Sequence, residues 1–264
     1  IKSLVETLTV PGKHNIVFPY PTFAMYPVYC KMFDVKAKMV GYVDCYKLDY
    51  SKLIESIDHE SAIVFLPNPN MPIEGTLSIN EIMNLVEHCK KHETILAVDE
   101  VYYPFGGPTA IELIHEFNNI FVMRSFSKAF GLAGIRVGYL LGSEKNIDYV
   151  SKTRTGYESN SVSMAIASFF IDNYDVILDF VEEIKDGFNY LKRELDGLNL
   201  EYNGGDAGNF IYVNLRDSDL SNLIVKKLRE KNIYVRGGWP KPFDVGFSIA
   251  GAPLEIMEDF FHNF

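Results

Sequence analysis

Short apolar runs alternate with amphipathic segments through most of the chain, the pattern of a parallel sheet covered by helices on both faces. Runs rich in β-branched and aromatic residues predict strands at 16–18, 37–42, 62–66, 94–99, 120–125 and 137–142. Between the third and fourth, Ser78 and Glu81 have capping-box spacing, and Ile82, Met83, Leu85, Val86 and Cys89 fill a broad helical face before His92. Strand, helix and strand then make a βαβ unit. From 161 to about 195 a long helical stretch leads into a different order, with strands at 210–215 and 233–236, a helix near 220–230 and a last strand at 245–250. These elements predict an α/β domain with a mostly parallel sheet over 1–160 and a smaller α+β domain over 161–264. No repeat or flexible linker separates them, so close packing is expected. Residues 1–8 read as the back half of an apolar helix with no cap before it, which suggests that part of the first domain lies upstream.

Composition narrows the function classes. Of 264 residues, 47% are hydrophobic and 23% charged, enough apolar surface for a sizeable core and too much for a disordered or fibrous chain. The net charge of −10 and the absence of any lysine or arginine stripe make nucleic acid an unexpected partner. The longest apolar runs, 62–67 and 95–98, fall far short of the roughly 20 residues that cross a bilayer, and no signal-peptide order opens the chain. A soluble cytoplasmic protein is the expectation. Cys30, Cys45 and Cys89 have neither metal-ligand nor disulfide-framework spacing and read as free thiols of a reducing compartment.

Four windows carry chemistry just past predicted strands. The longest is Arg124-Ser125-Phe126-Ser127-Lys128-Ala129-Phe130-Gly131-Leu132-Ala133-Gly134-Ile135-Arg136-Val137-Gly138-Tyr139. A lysine beyond a strand's carboxyl end lies where open α/β sheets bind ligands. Alone it reads as a surface lysine; beside it, Ser125, Ser127 and Arg136 offer two hydroxyls and a guanidinium to a phosphate dianion. The second window ends a strand on Asp99 with Tyr102 three residues on, although a lone Asp there is as readily a helix N-cap. The third, Leu66-Pro67-Asn68-Pro69-Asn70-Met71-Pro72, is a proline-stiffened turn with fixed amide side chains, and by itself only a turn. The fourth, 18–26, places Phe23 and other aromatics where core packing is the ordinary explanation.

Gathered in one crevice, these windows supply an amine, a carboxylate, an amide, a phenol, an aromatic face and a phosphate cup. Pyridoxal 5′-phosphate needs that set: a lysine for its aldehyde, an acid for its ring nitrogen and an anchor for its phosphate. On the order of these windows, and above all on Ser-x-Ser-Lys followed by an Arg eight residues after the Lys, the chain resembles the fold type I PLP-dependent aminotransferases of class I/II. Within them it is most like the histidinol-phosphate aminotransferase family. The resemblance runs over essentially the whole chain and implies a three-layer large domain that binds PLP. It implies Lys128, Asp99 and Tyr102 as catalytic, Lys128 taking the cofactor's aldehyde and later moving the substrate's proton, and Asp99 pairing with the ring nitrogen. Asn70 and Tyr102 would bond the ring hydroxyl, Phe23 would stack on the ring, and Ser125, Ser127 and Arg136 would hold the phosphate. Asn209 and Arg236 match substrate-binding positions. A homodimer acting on a small amino donor and acceptor is implied as well.

The sequence departs from that family in three ways. The resemblance implies that the family's N-terminal arm and the Gly-Ser turn with further phosphate donors would lie upstream of Ile1. The turn reads Asn68-Pro69-Asn70-Met71-Pro72-Ile73-Glu74-Gly75, with Met71 where a second Asn often stands and one extra residue before the Gly. Third, Gly246-Phe247-Ser248-Ile249-Ala250-Gly251-Ala252-Pro253 puts Phe247 where the family's carboxylate-binding Arg stands, and no Arg follows Arg236. The expectation is therefore that Arg236 or an upstream residue takes the carboxylate, or that the substrate carries its charge elsewhere, as a phosphate or phosphonate. Amino transfer is the leading reading. A PLP-dependent decarboxylase of a phosphorylated amino acid, and an inactive fragment with a binding or scaffold role, are the alternatives.

Overall fold

The structure is a computed structural model that describes all residues except 44, 45 and 157; Cys45 therefore lies outside the described residues. The chain opens with α1 (Lys2–Leu8), β1 (Asn15–Pro19), α2 (Met25–Met32), β2 (Lys36–Val40) and a small hairpin of β3 (Tyr42–Val43) and β4 (Lys47–Leu48). It continues through α3 (Tyr50–Glu55), β5 (Ser61–Pro67), α4 (Ile79–Lys91), β6 (Ile95–Asp99), β7 (Ile120–Ser125), β8 (Gly138–Gly142) and α5 (Glu144–Ser151). Six of these strands form one sheet in the order β2-β1-β5-β6-β7-β8. It is parallel up to β7, and β8 runs antiparallel at its edge.

Strand alternation assigns side chains to two cores. Val17, Val64, Leu66, Leu96, Val98 and Val122 pack on α3 and α4, whereas Ile16, Phe18, Ile63, Phe65, Ala97 and Phe121 face α1, α2 and α5. Sequence places α4 where it is found: Ser78 Oγ caps Glu81 N–H while the Glu81 carboxylate returns to Ser78 N–H at 2.8 Å. Cys30 and Cys89 are buried and free, Cys89 on the inner face of α4.

The rest of the chain comprises α6 (Ser161–Asp172), α7 (Tyr174–Gly197), β9 (Glu201–Gly204), β10 (Phe210–Asn214), α8 (Ser218–Glu230), β11 (Gly246–Ala250) and α9 (Leu254–Asn263). An antiparallel sheet, β11-β10-β9, lays Ile211, Val213, Phe247 and Ile249 on α7 and α9. That core continues into Tyr102, Phe105, Phe126 and Phe130 of the preceding segment. Gly187 on α7 permits the tight approach, since a Cβ there would stand 2.0 Å from the Ala252 carbonyl oxygen.

The structure differs from the sequence pattern in four places. The helical stretch from 161 breaks at Asn173, whose backbone leaves the helical region and whose amide bonds the Phe169 carbonyl. Residues 37–42 divide at Gly41, so the last of them starts the hairpin rather than extending the sheet. The predicted strand at 233–236 is not formed: Ile233 N–H is held by Leu228 at the end of α8, and only Arg236 pairs, through an isolated bridge to Ser248. Helices α2, α3, α5 and α9 and strands β4 and β9 were not expected. Among the described residues, no helix is long and apolar enough to cross a membrane.

Candidate active site

Parallel strands end together, so the last residues of β1, β5, β6 and β7 lie along one edge, with Pro67 registered against Asp99 and Asp99 against Met123. Asp99 is buried there, 7% exposed. Its Oδ2 accepts a 2.6 Å hydrogen bond from the Tyr26 hydroxyl, and Oδ1 accepts from Val101 N–H at 3.2 Å. Burial pushes the Asp99 carboxyl above the usual carboxylate range, and the Tyr26 bond pulls it back. Burial and the neighbouring carboxylate raise the Tyr26 phenol in turn, which keeps it a donor. No helix starts after Asp99, so it is not an N-cap; the chain instead turns through 101–107.

Lys128 lies half-buried in the turn after β7, its Nζ 5.2 Å from the centre of the Tyr102 ring. Burial lowers its pKa and the attraction of Asp99 opposes that shift. Tyr102 is buried with its ring edge on Phe210, and among the described residues its hydroxyl reaches the weak acceptor Met71 Sδ at 3.6 Å. Phe23, 44% exposed, sets its ring at right angles to Tyr26 at 5.9 Å. Asn70 is engaged throughout: Nδ2 donates to the Pro21 carbonyl at 2.8 Å and to the Tyr42 hydroxyl, and Oδ1 accepts from Thr22 at 2.6 Å.

On the far side of Lys128, Ser125 Oγ accepts from Ser127 N–H at 3.1 Å. Arg136 follows in a left-handed backbone conformation (φ 56°), exposed, with Nη1 donating to the Ala133 carbonyl at 2.9 Å. Ser125 and Arg136 are thus engaged within their own loop.

The segments that carry Tyr102 and Lys128 are tied by a buried pair that sequence reading did not single out. Glu100, 2% exposed, accepts from Arg124 Nη2 at 2.9 Å, Thr109 Oγ1 at 2.8 Å and Ala110 N–H at 2.6 Å, while Arg124 stacks 3.6 Å over Tyr103. Three partners on one carboxylate meet the condition under which a buried ion pair is tolerated. Tyr26 was also missed, although a phenol three residues after Phe23 was a usable signal.

The structure corrects the comparison at Phe247. That ring is fully buried among Ile184, Phe188, Met257 and Phe260 on the helix side of β11. Gly246 and Ser248 take the opposite face, which meets Tyr212, Trp239 and Phe243 and, beyond them, Ile73 and Met71 of the turn after β5. Counting back from Gly251 fixed a distance along the chain but not a face of the strand. A Cβ at Gly246 would stand 2.5 Å from the Tyr212 hydroxyl, so that position offers no room for an arginine either. Arg236 is exposed, its guanidinium 4.9 Å over Trp239, whose indole N–H bonds Ser248 Oγ at 3.1 Å. Asn209 is half-buried in the β9–β10 turn and its carbonyl holds Gly251 N–H at 2.8 Å. A cavity of about 150 Å³, lined in part by Tyr42, Tyr46, Tyr50, Asn68 and Asn70, reaches the crevice from the hairpin side.

Residues 1–245 match the family described as aminotransferase class I and II. The chain belongs to that family. As an aminotransferase family member it is 33% identical over 234 residues to the histidinol-phosphate aminotransferase of Thermotoga neapolitana, covering 88% of this chain and 66% of that one. To the enzyme of the same name from Pyrococcus furiosus it is 31% identical, covering 82% of this chain and 62% of that one. The chain thus spans a little under two thirds of these curated relatives. The Sinorhizobium meliloti histidinol-phosphate aminotransferase, solved with pyridoxal 5′-phosphate, superposes with a TM-score of 0.90 at 22% identity, over 99% of this chain and 72% of that one. The Clostridium acetobutylicum enzyme gives 0.88 at 19%, over 99% and 79%. At those identities the likeness is one of fold.

Proposed function

We propose that this chain is a pyridoxal 5′-phosphate-dependent aminotransferase that moves an amino group between an amino acid and a small, phosphate-bearing carbonyl or amine. The observation that carries the reading is one edge of the parallel sheet, where a half-buried lysine amine and a buried carboxylate stand together. The residues fit the cofactor. Lys128 has a lowered pKa, as an amine that attacks an aldehyde requires. Asp99 has a phenol and one N–H for partners and keeps lone-pair capacity for a cationic ring nitrogen. Tyr102 presents a hydroxyl whose present acceptor is weak. Ser125, Ser127 and Arg136 are the phosphate donors, and Phe23 is the exposed ring for stacking. Asn70 serves a ring oxygen only by releasing Tyr42. Bound, the cofactor supplies an aldehyde that accepts the amino group and a ring that takes the electron pair left at the substrate's Cα. Lys128 then carries the proton, Asp99 holds the positive charge of the ring, and Tyr26 keeps Asp99 in place.

Arg236, stacked on Trp239, is a pre-set guanidinium for the substrate's anion, and Asn209 lines the same side. Residues 1–160 form the cofactor-binding part and 161–264 the part that brings these groups to it. Assembly as a cytoplasmic homodimer is part of the reading. One observation favours a second reading: β11 turns Gly246 and Ser248, not a cation, toward the turn after β5. Decarboxylation of a phosphorylated amino acid accommodates that better than carboxylate capture does. Assay with phosphorylated amino acids, with and without a keto acid, separates the two. Amine-to-keto-acid transfer is the expected result, and release of carbon dioxide without need of the keto acid contradicts it.

A further inference from the structure

The extra residue in the turn after β5 has a place in the fold. Glu74 leaves that turn and extends its carboxylate to the loop joining β9 to β10, where Oε2 accepts from Asp206 N–H at 2.9 Å and Oε1 accepts from Gly208 N–H. Its own N–H donates to Asn203 Oδ1 at 2.7 Å on β9. From the other side, the loop after β6 presses on the same segment at Gly106 (φ 154°), where a Cβ would stand 2.5 Å from the Asp206 carbonyl oxygen. The 205–208 loop is therefore clamped between two turns that leave the carboxyl ends of β5 and β6. The residues on either side of the clamp carry site chemistry: Asn70 and Met71 precede Glu74, and Asn209 follows Gly208. Only a carboxylate supplies two acceptor oxygens to two diverging N–H groups, and bonds to a charged acceptor are the stronger kind.

We propose that Glu74 is a positioning residue for the reaction, a carboxylate latch that fixes the loop carrying Asn209 against the turn carrying Asn70 and so sets the substrate side of the crevice. The proposal rests on the aminotransferase reading. Glu74 touches neither cofactor nor reacting atoms, and its effect passes through Asn209. Losing it loosens substrate binding and leaves cofactor binding alone, because Lys128, Asp99 and the serines stand on other segments and Asn70 is held by Pro21, Thr22 and Tyr42 rather than by Glu74.

The test compares wild type with Glu74→Gln, which keeps shape but has one acceptor, and with Glu74→Asp, which keeps charge but not the reach to both N–H groups. Three readouts are taken: amide hydrogen exchange at 206–208, affinity for pyridoxal phosphate by absorbance titration, and KM and kcat for the amino donor. The expected result in both variants is exchange at Asp206 and Gly208 faster by about tenfold, the scale of one lost bond to a charged group. KM should rise by a similar factor, with kcat and cofactor affinity near wild type. Unchanged exchange overturns the latch. Faster exchange with KM unmoved, or a fall in kcat alone, overturns the positioning role. A wild-type chain that takes up no cofactor overturns the functional reading and this proposal with it; failure of the latch alone is told apart by a wild type that binds cofactor normally.

Discussion

Asp99 holds its charge out of water with a single phenol and one N–H, so its value to a cationic ring nitrogen depends on the carboxylate itself. Asp99→Asn, which keeps the shape and removes the charge, should lower turnover by roughly a thousandfold or more while cofactor affinity falls modestly, since a charge-assisted bond is lost. A near-normal rate would contradict the assigned role. Phe247 makes the opposite prediction from the one its place in the sequence suggests. Because its ring fills the core under β11, Phe247→Ala should cost about 3–5 kcal/mol of stability. Phe247→Arg should destabilise the fold at least as much, by burying an unpaired guanidinium, without improving use of glutamate. A thermal melt beside a comparison of kcat/KM for glutamate and a phosphorylated amine checks both. That Asp99 and Lys128 come to one edge of the sheet was legible in the sequence, because parallel strands bring their carboxyl ends together whatever the loops do. The bonds of Glu74 were not, because its partners lie on a loop whose path no periodicity encodes.

Elements follow the same division. The capping box of α4 was readable to the residue, and Ser78→Ala should lower stability by about 1 kcal/mol, the usual cost of losing such a cap, seen as a shift in denaturant midpoint. Helix α2 escaped notice because its two buried residues, Tyr26 and Cys30, leave a face too short to register as a period. The predicted strand at 233–236 has strand-like alternation, yet the end of α8 takes its first N–H, and tertiary context overrides propensity. At the opposite end of the sheet, Asp58 joins β2 to β5. The Lys38 ammonium bonded to it holds its carboxyl well below the usual range, with Asn15 and Ser61 adding to the effect and burial opposing it. A depressed folded pKa contributes stability that is present above the unfolded pKa, about 3.9 for Asp, and that is lost as pH falls through the folded value. Asp58→Asn should therefore lower stability at neutral pH, modestly because the pair is half in water, and flatten the acid limb so that the two curves converge as pH falls from about 4 toward 2. Parallel acid titrations of both proteins by circular dichroism decide it.

For the whole molecule, the alternation of strand and helix indicated the sheet and its covering layers, and the change of pattern after 160 indicated two of the three strands of the second sheet, β10 and β11, but not β9. That the two pack closely was expected from the lack of a linker, but which residues make the shared core was not legible, since Tyr102, Phe126, Phe188 and Phe210 are far apart in sequence. Homodimerisation, the commonest symmetric assembly, is checked by sedimentation at micromolar concentration. A persistent monomer would show that residues 1–264 do not make the interface by themselves. The account as a whole turns on one amine. Incubation with pyridoxal phosphate, reduction with borohydride and peptide mapping should place a single pyridoxyl group on Lys128, and Lys128→Ala should take up none. A label on another lysine, or on Lys128 and several surface lysines alike, would contradict the site and the function built on it.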